Sequence, residues 1–268
     1  MYPFDLTDLQ SGRVHLWCTF YSHIENDGLL RDYRSLLSDA EREHEFHFHF
    51  ARDQRRYLVT RALVRTVLSR YAAIPPREWV FVPNDYGRPR IANDSRAARS
   101  LCFNISHTDS LIILAVAHGL EVGVDVENTR RRASCIEIAD RFFSTTEVRA
   151  LRALPKEDQQ QRFFEYWTLK ESYIKARSLG LAIALDQFSF ALCRDTIGLS
   201  VHPDQNDPPA RWRFWQMWLG SDYLGALCVE RAGAAVPRLR VREVVPLFSQ
   251  QELGFTLIRS SAGLAGCQ

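Results

Sequence analysis

The stretch VGVDVE, Val122 to Glu127, reads as a strand, with a β-branched valine at every second position. Side chains alternate faces along a strand, so Val122, Val124 and Val126 share one face while Gly123, Asp125 and Glu127 share the other. The valines account for a core. Two carboxylates on the opposite face of a buried strand need another reason, because an inward acid is costly unless it is paired or holds a cation.

Upstream of this strand, LCFNIS and LIILAVA read as two more strands, and HGLE (118–121) has the length of a hairpin turn leading back into VGVDVE. Leu16 to Phe20 reads as the first strand, followed by a loop. A helix then opens at LLSDAERE, with Ser38 as N-cap and Glu41 three residues on. RDQRRYLVTRALVRTVLSRYA (52–72) places Tyr57, Leu58, Ala62, Val64, Val67 and Leu68 at helical spacing, and IPPRE ends it. WVFV is a short strand and NDYGRPRI a turn.

The later half repeats this order. RFFEYWTLKESYIKARS (162–178) reads as a helix, FSFAL as a strand, and RWRFWQMWL and YLGALCVE as two more, with VHPDQNDPPA as a loop. DSLIILAV and DYLGALCV look alike. The expectation is an α+β fold of two similar halves, 1–120 and 121–240, followed by a C-terminal extension over 241–268 whose end, SSAGLAGCQ, frays.

Composition narrows the partners. A net charge of +2 lacks the basic excess of a nucleic-acid footprint, and no apolar run reaches the roughly 20 residues a membrane span needs. MYPFDLTDLQ lacks the basic flank and apolar block of a secretory signal, which places the chain in the cytoplasm. The six cysteines form no CxxC pair and read as buried, reduced thiols. Of the 34 basic residues only Lys156, Lys170 and Lys175 are lysines, and two of the three fall in WTLKESYIK, so that segment needs lysine specifically.

Around that helix, with Phe163 at zero and 100° per residue, Ile174 falls at about 20°, Trp167 at about 40°, Glu171 at about 80° and Phe164 at about 100°. Glu171 thus lies in the apolar stripe, with Lys170 flanking it and Lys175 one turn on. An internal Glu171–Lys175 pair is the plain structural explanation. The chemical one joins Glu171 to Asp125 and Glu127 as three oxygen donors, a set suited to Mg²⁺ rather than zinc, which completes its shell with waters and substrate phosphates. Gly123, on the acid face, leaves room for such a ligand. Ser106 and His107, just after a strand, and Arg52, Arg56 and Arg88 are candidate phosphate contacts.

The ordered set YGRPR, FNISHTDS, VGVDVE, RFFSTTE, WTLKESYIK and LGLAIALDQFSF resembles the surfactin-synthetase-activating type of 4'-phosphopantetheinyl transferase, over about Leu36 to Val229. The resemblance implies a monomer of two α+β halves related by a pseudo-twofold axis, with coenzyme A and Mg²⁺ in the cleft between them. It implies transfer of 4'-phosphopantetheine from coenzyme A to a serine of an apo acyl or peptidyl carrier protein, with release of 3',5'-ADP. By that resemblance Asp125, Glu127 and Glu171 match the metal-binding acids, Glu171 also the acid that deprotonates the acceptor, and Lys175 the lysine near the phosphates. Ser106 and His107 match contacts to the adenosine 3'-phosphate region, and Arg56 and Arg88 fall where the family places basic phosphate contacts. In DAEREHEFHF, Glu41 and His44 stand where some relatives carry lysines. Two other readings remain on the sequence alone: a metal-dependent phosphohydrolase using the acids with His44, His47 and His49, and a non-catalytic module that binds carrier proteins. Against the first, EHEFHFHF reads as an aromatic packing segment.

Overall fold

The computed structural model describes residues 6–10, 12–130, 135–179, 183–231, 233 and 236–262, without the side chains of 6 and 7. Residues 263–268, Cys267 among them, and 180–182 of LGLAIALDQFSF lie outside the described residues. In chain order the elements begin with α1 (Leu6–Gln10), β1 (Arg13–Phe20), α2 (Asp27–Leu36), α3 (Asp39–Phe46), α4 (Ala51–Leu68), β2 (Phe81–Pro83), β3 (Pro89–Ile91), α5 (Arg96–Arg99), β4 (Leu101–His107) and β5 (Leu111–His118). They continue with β6 (Val122–Asn128), α6 (Cys135–Phe142), α7 (Thr145–Arg152), α8 (Lys156–Arg177), β7 (Phe188–Leu192), β8 (Ile197–Val201), β9 (Trp212–Leu219), β10 (Tyr223–Glu230), β11 (Arg238–Val245), β12 (Ser249–Glu252) and β13 (Thr256–Ser260). The architecture is mixed α+β. No described helix is long and apolar enough to cross a membrane.

The chain forms two compact units: 1–84 with 89–119 and 239–253, and 85–88 with 120–238 and 254–268. The segment after 240, separated above as an extension, supplies strands to both sheets. In unit 1 a five-stranded sheet runs β12-β11-β1-β5-β4. Thr19 on β1 donates to the Val244 carbonyl on β11 at 2.8 Å, tying the late strand to the first one. The long helix α4 buries Leu58, Val59, Ala62, Leu63 and Val67 in a core shared with Trp17, Ile112, Leu114 and Val116. The expected Ser38 cap is a full capping box: its side chain accepts the Glu41 N–H, and the Glu41 carboxylate accepts the Ser38 N–H.

In unit 2 the sheet runs β13-β9-β10-β6, antiparallel throughout, with β6 at the edge. This corrects the hairpin expected at HGLE. β5 already has partners on both sides, β1 and β4, so the chain leaves unit 1 at Gly119 and β6 pairs instead with β10, Asp125 opposite Ala226. The two look-alike segments, β5 and β10, each occupy the strand next to a sheet edge, flanked on both sides, which explains their shared apolar composition.

α8 lies across β6 and β10. Phe163, Phe164, Leu169, Tyr173 and Ile174 enter the core with Phe188, Phe190, Phe214, Leu224 and Ala226. Glu157 and Asp158 occupy its first turn and Lys175 and Arg177 its last, each favourable to the helix dipole. What lets the helix approach the sheet is Gly123. A Cβ there would come within 3.0 Å of the Ser172 carbonyl oxygen and the Ala176 nitrogen and Cα. The space that the missing side chain leaves is therefore taken by the backbone of α8, not by a ligand, a correction to the expectation above. Gly123→Ala is expected to push α8 off β6 and cost at least about 1–3 kcal/mol, because the obstacle is backbone. Urea unfolding reads this directly, and an unchanged midpoint would contradict it.

Candidate functional site

The close backbone contact at Gly123 decides what faces what in unit 2. Two residues along β6, Asp125 points toward the same helix, and Lys175 Nζ on α8 reaches its Oδ1 at 2.6 Å. Asp125 is 4% exposed, so this carboxylate has little help from water. Glu127, two residues further, is half-buried, as are Glu171 and Lys175 on the helix. Helix phase and strand periodicity thus bring Lys175 onto Asp125 and Glu171 into the field of Asp125 where α8 covers β6, while Glu127 follows two residues on, on the same strand face as Asp125.

Lys175 pairs across to the strand acid, not along the helix as the plain structural reading had it. That leaves Glu171 in an unfavourable place. Burial, and then the negative charge of Asp125, raise its pKa above the ordinary carboxylate value, against the opposing pull of Lys175. A half-buried acid pushed toward neutrality beside a second acid is the electrostatic condition that a divalent cation relieves. The donors are all carboxylate oxygens, which fits a hard cation such as Mg²⁺ and excludes a thiolate or imidazole zinc set. Among the described residues, however, no three such groups are already closed around one point.

Arg88 belongs to the same unit. Its guanidinium donates to the Lys175 carbonyl at 2.9 Å, the Val122 carbonyl at 3.0 Å, Glu121 at 3.1 Å and the Ser178 hydroxyl. It therefore satisfies a carbonyl in the last turn of α8, next to Ser178, whose φ of 58° ends the helix in the left-handed conformation. Sequence reasoning finds a phosphate contact in Arg88 and misses this helix-anchoring role.

The remaining candidates sit in unit 1. Arg52, at the start of α4, lines a cavity of about 330 Å³ with Arg55, Tyr21, Ser22, Asp109 and Ser110, and lies 3.4 Å from Asp109. Arg56 pairs with Asp53 at 3.0 Å. Ser106 and His107 do not follow a strand, as expected, but are the last two residues of β4, paired with Ile113 and Ile112. Successive strand residues face opposite ways, so Ser106 is buried and His107 exposed.

Glu41 is committed elsewhere. Besides capping its own helix it accepts from Arg65 at 2.7 Å and from Arg61, and those guanidinium groups help hold its pKa below the usual carboxylate value although burial, the largest influence, works the other way. His44 packs against Tyr57 and Phe48 with ring centroids 5.0 and 5.3 Å apart, in keeping with the packing reading of EHEFHFHF, although Phe46 and Phe50 are exposed. Of the cysteines, Cys18, Cys135 and Cys228 are buried and free, but Cys193 is exposed and Cys102 intermediate, a correction to the uniformly buried expectation.

The raised pKa of Glu171 fixes the sign of a pH effect. For a carboxyl raised in the folded state, its contribution to stability is complete below the ordinary carboxylate pKa and is lost as pH rises through the folded value. In chelator-treated protein, Glu171→Gln is accordingly expected to raise the melting temperature at pH 7.5 relative to the parent, with the difference shrinking toward pH 4. An offset that does not change with pH would contradict this.

Comparison with known proteins identifies the family. Residues 121–228 match the model of the 4'-phosphopantetheinyl transferase superfamily, and residues 29–119 that of the 4'-phosphopantetheinyl transferase N-terminal domain. The chain is 36% identical over 190 residues to 4'-phosphopantetheinyl transferase HetI of Nostoc sp., a match covering 71% of this chain and 78% of that protein. It is 35% identical over 176 residues to 4'-phosphopantetheinyl transferase Sfp of Bacillus subtilis, covering 66% and 75% respectively.

Proposed function

The chain belongs to the 4'-phosphopantetheinyl transferase family, of the Sfp type, and from that premise we propose that it transfers 4'-phosphopantetheine from coenzyme A to a serine of an apo acyl or peptidyl carrier protein, releasing 3',5'-ADP. The observation that carries this reading is the juxtaposition of Asp125 with Glu171 and Lys175 across the β6–α8 contact.

Asp125, Glu127 and Glu171 would hold Mg²⁺. When bound, the ion offsets the charge that develops on the pyrophosphate oxygens. Glu171 accepts the proton of the attacking serine hydroxyl, directly or through water. Lys175, now on Asp125, is placed to exchange that partner for the phosphate of the departing 3',5'-ADP. Serine needs no histidine-type activation in this scheme, since positioning and fixed charge lower the barrier. Arg52, Arg56, Arg88, Ser106 and His107 are proposed as contacts to the phosphates of coenzyme A, Arg88 in addition to the bonds it makes to the end of α8. A cytoplasmic monomer is the proposed setting.

Intact-mass measurement of a panel of apo carrier proteins, incubated with this protein, coenzyme A and Mg²⁺, tests the reading. The expected result is a gain of one phosphopantetheine on the carrier, lost with a chelator and reduced at least about 100-fold in rate by Glu171→Gln. Coenzyme A consumed with no gain on any carrier would establish a hydrolase instead, and an undiminished rate in Glu171→Gln would remove that acid from the mechanism.

A further inference from the structure

Lys170 stands one residue before Glu171 and is fully buried. Its Nζ reaches Glu147 Oε2 at 2.7 Å and donates to the Leu185 and Phe188 carbonyls at 2.7 and 2.8 Å. Three acceptors satisfy the three N–H groups of an ammonium. The rings of Phe188 and Phe143 close over it at 4.3 and 5.3 Å, and neither Lys170 nor Glu147 exposes any side-chain surface. Glu147 is itself held from two sides, by the Ser144 N–H in the capping box of α7 and by the Phe190 N–H of β7 at 2.8 Å.

Such a pair is a poor choice for stability alone. Replacing both members of a buried ion pair by neutral groups of similar volume is often neutral or stabilising. What it supplies is direction: one ammonium fixes the side of α8 opposed to α7 and β7 by three bonds of defined geometry. From sequence to site the consequence is short. Neighbouring residues on a helix point about 100° apart, so locking Lys170 fixes where Glu171 points. With side chains extending roughly 5–6 Å from the axis, a rotation of about 10° displaces a carboxylate by about 1 Å. A misplacement of that size is worth on the order of 100-fold in rate. The contact at Gly123 sets how close α8 comes to β6, but a contact on one side leaves rotation about it to be fixed from another.

We propose that the Lys170–Glu147 pair is a positioning pair that fixes the rotation of α8 so that Glu171 is presented to Asp125. The inference rests on the cation-binding role assigned above to those acids. It also explains why a chain that otherwise uses arginine has lysine here: a planar five-donor guanidinium does not fit a closed cage of three acceptors.

The test is the double variant Glu147→Gln/Lys170→Met, which removes both charges at similar volume and keeps a residue type suited to the capping box. Three quantities are measured in parent and variant: melting temperature, Mn²⁺ affinity by electron paramagnetic resonance in the presence of coenzyme A, and the kcat and KM of transfer to the carrier. The expected result is a folded variant whose Mn²⁺ affinity falls about 10-fold or more, with kcat lowered and the carrier KM unchanged. A folded variant with the parent's Mn²⁺ affinity and kcat overturns the proposal. Should the double variant not melt cooperatively, Glu147→Gln alone, which leaves the ammonium its two carbonyls, is judged by the same criteria. If the unsubstituted protein binds no Mn²⁺, the reading of the acids fails, and that outcome is distinct from failure of the positioning pair.

Discussion

The site depends on the approach of α8 to β6 over Gly123. Backbone to backbone, this contact is closer than any side chain would allow. From it follow the two placements that matter: Asp125, two residues along the strand, meets Lys175, and Glu171, on the same side of the helix, comes under the field of Asp125. A glycine whose value would otherwise be conformational freedom acts here through its lack of volume. The cost appears as a carboxyl displaced from its ordinary pKa. Metal-free, the protein holds a repulsion that a bound cation would turn into affinity.

Much of this is legible in the sequence. Period-two alternation marks β6 and its acid face, and helical periodicity puts Glu171 toward the interior of α8. The Ser38–Glu41 capping box is readable because its two residues lie three apart. The same spacing at Ser144–Glu147 marks α7, and with it the partner of Lys170, but nothing local ties that acid to a lysine 23 residues on. The segment after β1, expected as a loop, holds α2, whose Leu30, Tyr33 and Leu36 recur at three-residue spacing behind the Asn26 cap. What local reading cannot supply is long-range pairing. That the chain crosses between sheets at Gly119, and that β11 returns to lie beside β1, depends on partners about 100 residues away or more.

Charge pairing redistributes the roles that residue type suggests. Arg88 reads as a phosphate contact in the sequence, yet in the structure it secures the end of α8, while Arg61 and Arg65 secure Glu41 and Arg65 also the carbonyls of Pro76 and Trp79. Buried guanidinium groups with several acceptors are structural elements first. The lysines divide the same way: Lys170 closes a cage and Lys175 faces the acids. Neighbouring letters in WTLKESYIK thus carry separate tasks, one that orients the helix and one that meets the chemistry.

The acids of β6 and α8 are proposed to form a site whose repulsion a divalent cation relieves. The most direct measurement is the melting temperature of the protein with coenzyme A, with and without Mg²⁺, from pH 5 to pH 8. Because only the folded chain assembles the site, the ion stabilises by mass action, and the gain must grow as Glu171 ionises. A melting temperature that rises with Mg²⁺, and by more at pH 8 than at pH 5, is the predicted result. One indifferent to Mg²⁺ at every pH would contradict the account.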